Sequence, residues 1–109
     1  MSGNKALLDS NVIIFASRQL IDTEELLVRY DEFYVSIVTF MEVYAYEFTS
    51  SDEKDLVDEL FANLEIVEVD KTIAAQAIIY RKSKAKKIKL PDAIILATAK
   101  FLNANLLSD

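Results

Sequence analysis

The chain has no cysteine and no histidine, and only one glycine and one proline in 109 residues. Without cysteine or histidine there is no zinc finger, no thiol nucleophile, no Ser-His-Asp triad and no imidazole acid–base catalyst. A single glycine cannot build a phosphate-cradling loop or either common dinucleotide fingerprint. Any chemistry must therefore run on carboxylates, hydroxyls, amides and amines. No apolar run approaches the roughly 18 residues that span a bilayer, so no membrane association is expected. Met1-Ser2-Gly3-Asn4-Lys5 leads into a strand, not into a signal-peptide core. The lack of cysteine suits a reducing cytoplasm, which is the expected location.

What the chain does have is material for a core. Apolar residues make up 52% of it, with six Phe and five Tyr, which excludes disorder. The length suits a single domain over residues 1–109. A formal charge of −6 argues against a general nucleic-acid binder, but the charge is unevenly placed. Residues 71–91 hold seven basic residues and no acid, while the other segments hold five basic residues and all 18 acids. Arg81, Lys82, Lys84, Lys86, Lys87 and Lys89 form one short run. Such a patch can hold a polyanion locally; on pattern alone a solvated helix face is the stronger reading.

Apolar pattern and turn residues divide the chain into alternating strands and helices. Ala6-Leu7-Leu8 is too short for a helix and lacks alternation, as a strand buried on both faces would. Asp9-Ser10-Asn11 end it, because their side chains bond their own backbone. A turn or helix follows through Ala16, and Ile21 to Tyr30 reads as a helix with an acidic first turn and a stripe of Leu26, Leu27 and Tyr30. Phe33 to Val38 is the second strand, rich in β-branched and aromatic residues. Thr39 opens the next helix, and Leu56, Val57, Leu60, Phe61 and Leu64 keep helical spacing in another. Glu65 to Asp70 alternates as the third strand. Thr72 to about Lys87 is a long helix with Ile73, Ala77 and Tyr80 inward and the basic run at its end. Leu90-Pro91-Asp92 starts a helix so apolar that it must be covered on most sides. Asn103-Ala104-Asn105 breaks it, and Leu106-Leu107-Ser108 is a fourth strand. This alternation predicts a parallel, helix-covered sheet.

Three carboxylates stand out, each with a plain structural explanation. Asp9 can be a turn residue after a strand. Thr39-x-x-Glu42 has the form of a capping box. Asp92 follows a proline in a helix's first turn, where the dipole favours an acid. Taken together they point elsewhere. Asp9 ends a strand, Glu42 and Asp92 begin helices, and in a parallel sheet those positions share one edge, where α/β folds keep their binding crevices. Each lies among apolar neighbours, and Asp92 shares a stripe with Ile95, Leu96 and Ala99, so burial is expected. Buried carboxylates without a cation invite a metal, and an all-oxygen set suits Mg²⁺ or Mn²⁺.

Leu7-Leu8-Asp9-Ser10-Asn11-Val12, Glu42 after the second strand, the run from Leu90 to Ala99 and Ala104-Asn105-Leu106-Leu107-Ser108-Asp109 together resemble the PIN domains, a family of metal-dependent ribonucleases that includes the VapC-type toxins. The resemblance covers nearly the whole chain in order. It implies a three-layer α/β/α fold on a parallel sheet of about four strands, an acidic Mg²⁺ or Mn²⁺ site, and hydrolysis of RNA phosphodiester bonds. It assigns metal binding and catalysis to Asp9, Glu42 and Asp92, with Asp109 as the fourth acid and Asn11 and Ser108 as polar neighbours. An antitoxin partner and a homodimer follow from it, the latter through an aromatic patch at Tyr34, Tyr44 and Tyr46. Family members continue into a final strand and tail, so a member shortened at its C-terminus is expected. The rivals are a non-catalytic interaction module on the same fold, and a receiver domain with Asp70 as phospho-acceptor. The second lacks the acidic pair expected at its first strand.

Overall fold

The structure, a computed structural model, describes residues 4–83 and 87–108. Four strands, β1 (Lys5–Leu8), β2 (Glu32–Ser36), β3 (Glu65–Val67) and β4 (Asn105–Leu107), pair in the order β3-β2-β1-β4, every pair parallel. Six helices connect them: α1 (Ser10–Ser17), α2 (Thr23–Arg29), α3 (Ile37–Ala45), α4 (Ser51–Ala62), α5 (Lys71–Lys82) and α6 (Leu90–Leu102).

The central strand β1 is buried on both faces, as its unbroken apolar run predicts. Ala6 and Leu8 point to a core with Val12 and Ile13 of α1, Val43 of α3, and Val57 and Phe61 of α4. Leu7 points the other way, against Tyr34, Ile95 and Ala99. Beyond that layer, Ala93 and Ala97 of α6 pack on Ile73 and Ala77 of α5, so α6 is covered by the sheet on one side and α5 on the other. The small residues on α6 allow that close approach. Burying a side chain such as Leu7, which has no exposed surface, contributes roughly 1.5–3 kcal/mol. Asn103 ends α6 in the left-handed region at φ 55°, one of the few conformations an asparagine adopts more readily than most residues.

Three expectations about the elements need correction. The second strand stops at Ser36, not Val38, because Ser36 turns the chain and caps α3 with its own hydroxyl. The third strand is only Glu65–Val67; Asp70 caps α5 by accepting from the Ile73 amide at 2.8 Å, which also removes it as a strand-end phospho-acceptor. The long helix ends at Lys82 with Ser83 as its cap, well before Lys87. Like charges three and four positions apart along the basic run disfavour further turns.

The expected aromatic patch also fails. Tyr34 is buried and donates to Glu32 at 2.7 Å, and Tyr44 packs among Phe40, Phe48 and Phe61 and donates to Asp58 at 2.5 Å. Burial and that bond push the Tyr44 hydroxyl up to about 12. Tyr46 is partly exposed, beneath the Arg18 guanidinium at 5.7 Å. Tyr34 and Tyr44 are thus committed to the interior, and of the three Tyr46 alone reaches the surface. The stripe on α2, by contrast, is not buried: Leu26 and Leu27 overhang an apolar cleft of about 640 Å³ between α1, α2 and α4.

Candidate metal centre

In a parallel sheet all strands end at one edge, and here the connections change direction at that edge between β1 and β4. From β1 the chain moves outward to β2 and β3, then returns past β1 to lay down β4. Such a switch point opens a crevice at the carboxyl ends of the two strands. Asp9 stands at its centre. Its amide donates to the Leu107 carbonyl at 3.0 Å, continuing the ladder to β4. Its Oδ1 accepts from the Ser10 amide at 2.6 Å and lies 3.4 Å from the Ser10 hydroxyl, so Asp9 does cap α1. The cap occupies Oδ1, while Oδ2 has no hydrogen-bond partner among the described residues.

Glu42 arrives from the next strand. Two hydroxyls compete to start its helix, and Ser36 takes the position, accepting from the Val38 amide at 3.1 Å. Helix α3 therefore begins at Ile37, and Glu42 falls in its second turn, not at the capping-box position. That removes the plain structural role for Glu42. Thr39, the expected cap, is fully buried one turn earlier, and its Oγ1 has no partner among the described residues. Asp92 comes from the far layer, in the first turn of α6 after Pro91. Because α6 runs back along the sheet, that turn lies at the same edge.

The three acids share one electrostatic environment. Desolvation first, then the negative charges of Asp9 and Asp92, hold the Glu42 carboxyl above its ordinary value. Among the described residues none of the three is ion-paired; the cations Arg18, Arg29 and Lys54 are engaged with Glu53, Glu25 and Asp58. Their burial is less than the sequence suggests. Asp9 is half-buried, while Glu42 and Asp92 are exposed. The burial of Ile95 and Ala99 ends one turn short of the stripe's first member, and Asp92 is left exposed at the start of α6. Among the described residues no group of three acids lies close enough together to hold an ion. The donor chemistry, all carboxylate and in no ion pair among the described residues, is the kind a hard divalent ion takes.

The other expected residues are spread around this centre. Asn11 is exposed in the first turn of α1, next to Asp9, and Ser108 is exposed just after β4. Asp109, Lys84 and Lys86 lie outside the described residues. Arg81 and Lys82 are exposed at the end of α5, and Lys87 and Lys89 are exposed just before α6. The basic run is thus not one helix face: of its described members, Lys87 and Lys89 are the ones that approach Asp92. The sequence reading missed the clasp beneath α1, where buried Glu53 accepts from Arg18 Nε at 2.9 Å and from the Thr49 amide at 3.1 Å. Arg18 also donates to the Tyr46 hydroxyl. The signal was legible in Ser50-x-x-Glu53, which has the form of a capping box: Ser50 accepts from the Glu53 amide at 3.1 Å, while Glu53 reaches one residue further back, to the Thr49 amide.

A doubly wound parallel sheet with unpaired carboxylates at its switch point defines an α/β protein with an acidic crevice. The chain belongs to the PIN domain family, whose profile matches residues 6–109. It is similar to a toxin–antitoxin complex from Klebsiella pneumoniae, at 27% identity and a TM-score of 0.73, over 94% of this chain and 84% of that one. VapBC2 from Rickettsia felis, bound to a DNA fragment from its promoter, shares the fold at 19% identity and a TM-score of 0.77, over 95% of this chain and 86% of that one. VapBC-1 from nontypeable Haemophilus influenzae does so at 17% identity and 0.73, over 95% and 85%. A comparison with curated proteins gives no match.

Proposed function

We propose that this PIN domain is a metal-dependent endoribonuclease and the toxin half of a toxin–antitoxin pair. One observation carries the reading: Asp9, Glu42 and Asp92, from three separate elements, lie near enough for the first and last to hold the Glu42 carboxyl up, and among the described residues none of the three is ion-paired. Charges of one sign are costly to gather without a positive ligand. Asp9, Glu42 and Asp92, joined by Asp109, would hold Mg²⁺ or Mn²⁺. Such an ion activates water and offsets charge on a phosphate. Asp9 is fixed for this task by its cap to Ser10, and Asn11 and Ser108 offer polar groups at the rim. Arg81, Lys82, Lys84, Lys86, Lys87 and Lys89 would hold the RNA backbone, which offsets repulsion from an acidic protein.

Support for a partner comes from the similarity to a toxin–antitoxin complex. By the same resemblance the protein assembles as a homodimer, through a surface other than the buried tyrosines, and light scattering that gives the mass of one chain would remove that assembly. The activity is tested with purified protein and single-stranded RNA. Cleavage should require Mg²⁺ or Mn²⁺, stop on chelation, and fall to background in Asp9→Asn and Asp92→Asn. A folded parent that leaves RNA intact with either metal would make the chain a non-catalytic member of its family.

A further inference from the structure

Next to Asp92 lies a cavity of about 390 Å³ lined by Lys87, Ile88, Lys89, Asp92 and Leu96. Its volume falls at the lower end of the roughly 300–1,000 Å³ of small-molecule sites. Its walls differ in character. Ile88 is half-buried and packs on Ile73, Ala77, Ala93 and Ala97, so it pins the connection between α5 and α6. The lysines on either side of that anchor are exposed, and among the described residues neither is ion-paired. Lys89 is held extended at φ −68° and ψ 152°, and its carbonyl is tied to the Ala93 amide at 2.9 Å. Leu96, half-buried, stands one helical turn after Asp92 and supplies apolar surface.

We propose that this cavity is a nucleotide subsite, which takes one unit of a single-stranded RNA beside the bond to be cut. Lys87 and Lys89 hold its phosphate, and its base lies against Ile88 and Leu96. Two lysines alone would describe a general anion patch. The apolar wall is what selects a nucleotide over a bare anion, because only a ligand with a base removes that surface from water. The location follows from Asp92, which lines the cavity and also belongs to the acidic centre. A nucleotide held here places its neighbouring phosphodiester at the carboxylates. Arg81 and Lys82, at the end of α5, are not among the residues lining this cavity and serve only to hold more distant parts of the backbone. The naming of RNA rests on the proposed ribonuclease activity; the affinity for a nucleotide does not.

The test uses no metal. Adenosine 5′-monophosphate, adenosine and inorganic phosphate are each titrated, with chelator present, into the ¹⁵N-labelled protein. The monophosphate should shift the amides of Lys87, Lys89, Asp92 and Leu96 saturably, and bind at least about tenfold more tightly than either fragment. Lys89→Ala, at an exposed position whose side chain caps nothing, should weaken it roughly tenfold through loss of a charge-assisted bond. The inference is overturned if those amides do not move, if phosphate binds as tightly as the nucleotide, or if Lys89→Ala binds unchanged. A protein that binds the monophosphate but cleaves no RNA keeps the subsite and loses the ribonuclease. One that cleaves RNA without binding here does the reverse.

Discussion

Glu42 is the residue on which the site turns, and its ionisation gives a measurement. Its carboxyl is held above the ordinary value by desolvation and by Asp9 and Asp92, so the folded state binds its proton more tightly than the unfolded chain does. The charged form is therefore a cost, present above the raised value and absent below the unfolded one. Glu42→Gln should raise the melting temperature of the metal-free protein at neutral pH, and the gain should fade as pH drops through the carboxylate range. A variant that is less stable than the parent at neutral pH would show Glu42 to be a structural residue. Glu53 has the opposite sign. The Thr49 amide and then Arg18 hold its carboxyl below the ordinary value. Its stabilisation is full above the unfolded value and lost as pH falls through the folded one. Glu53→Gln should be less stable at neutral pH and should lose part of the parent's acid sensitivity, read from melting curves at a series of pH values. The place of Asp9 was legible in the sequence, because an apolar run followed by turn formers marks the end of a strand. Glu42 was legible as a candidate but not in its role, since the choice between Ser36 and Thr39 as cap depends on where β2 stops pairing with β1 and β3.

At the scale of elements, β1 and α6 could be read directly from their apolar runs. Both are covered on opposite sides, and each delivers an acid at the sheet edge. The basic run was legible as charge but not as shape: α5 stops at Lys82, and Lys87 and Lys89 belong instead to the cavity beside Asp92. The spacing of the apolar stripe does not mark that ending, which follows from like charges crowded along the run. If the run holds RNA by its phosphates, replacing Arg81, Lys82 and Lys87 with Ala should weaken all single-stranded RNAs alike. The slope of log affinity against log salt should flatten by roughly 0.7 for each phosphate no longer neutralised. An unchanged slope, measured by fluorescence anisotropy at several salt concentrations, would return these residues to a solvated surface.

For the whole molecule, alternating strands and helices were enough to predict a parallel α/β fold, and the resemblance to PIN domains matched the family found. The order β3-β2-β1-β4 could not be read, because parallel pairing joins segments as far apart as Ala6 and Asn105 with no local signal. Neither could the exposure of Glu42 and Asp92, which depends on where the sheet ends beneath their helices. Yet it is this topology that brings three weak carboxylate signals to one edge of the sheet. Their common purpose is tested most directly by calorimetric titration of Mn²⁺ into the metal-free protein. Saturable binding should appear in the parent, be lost in Asp9→Asn and Asp92→Asn, and be weakened in Glu42→Gln. A parent that binds no Mn²⁺ at millimolar concentration, or an Asp9→Asn variant that binds it as tightly as the parent, would contradict a shared metal centre.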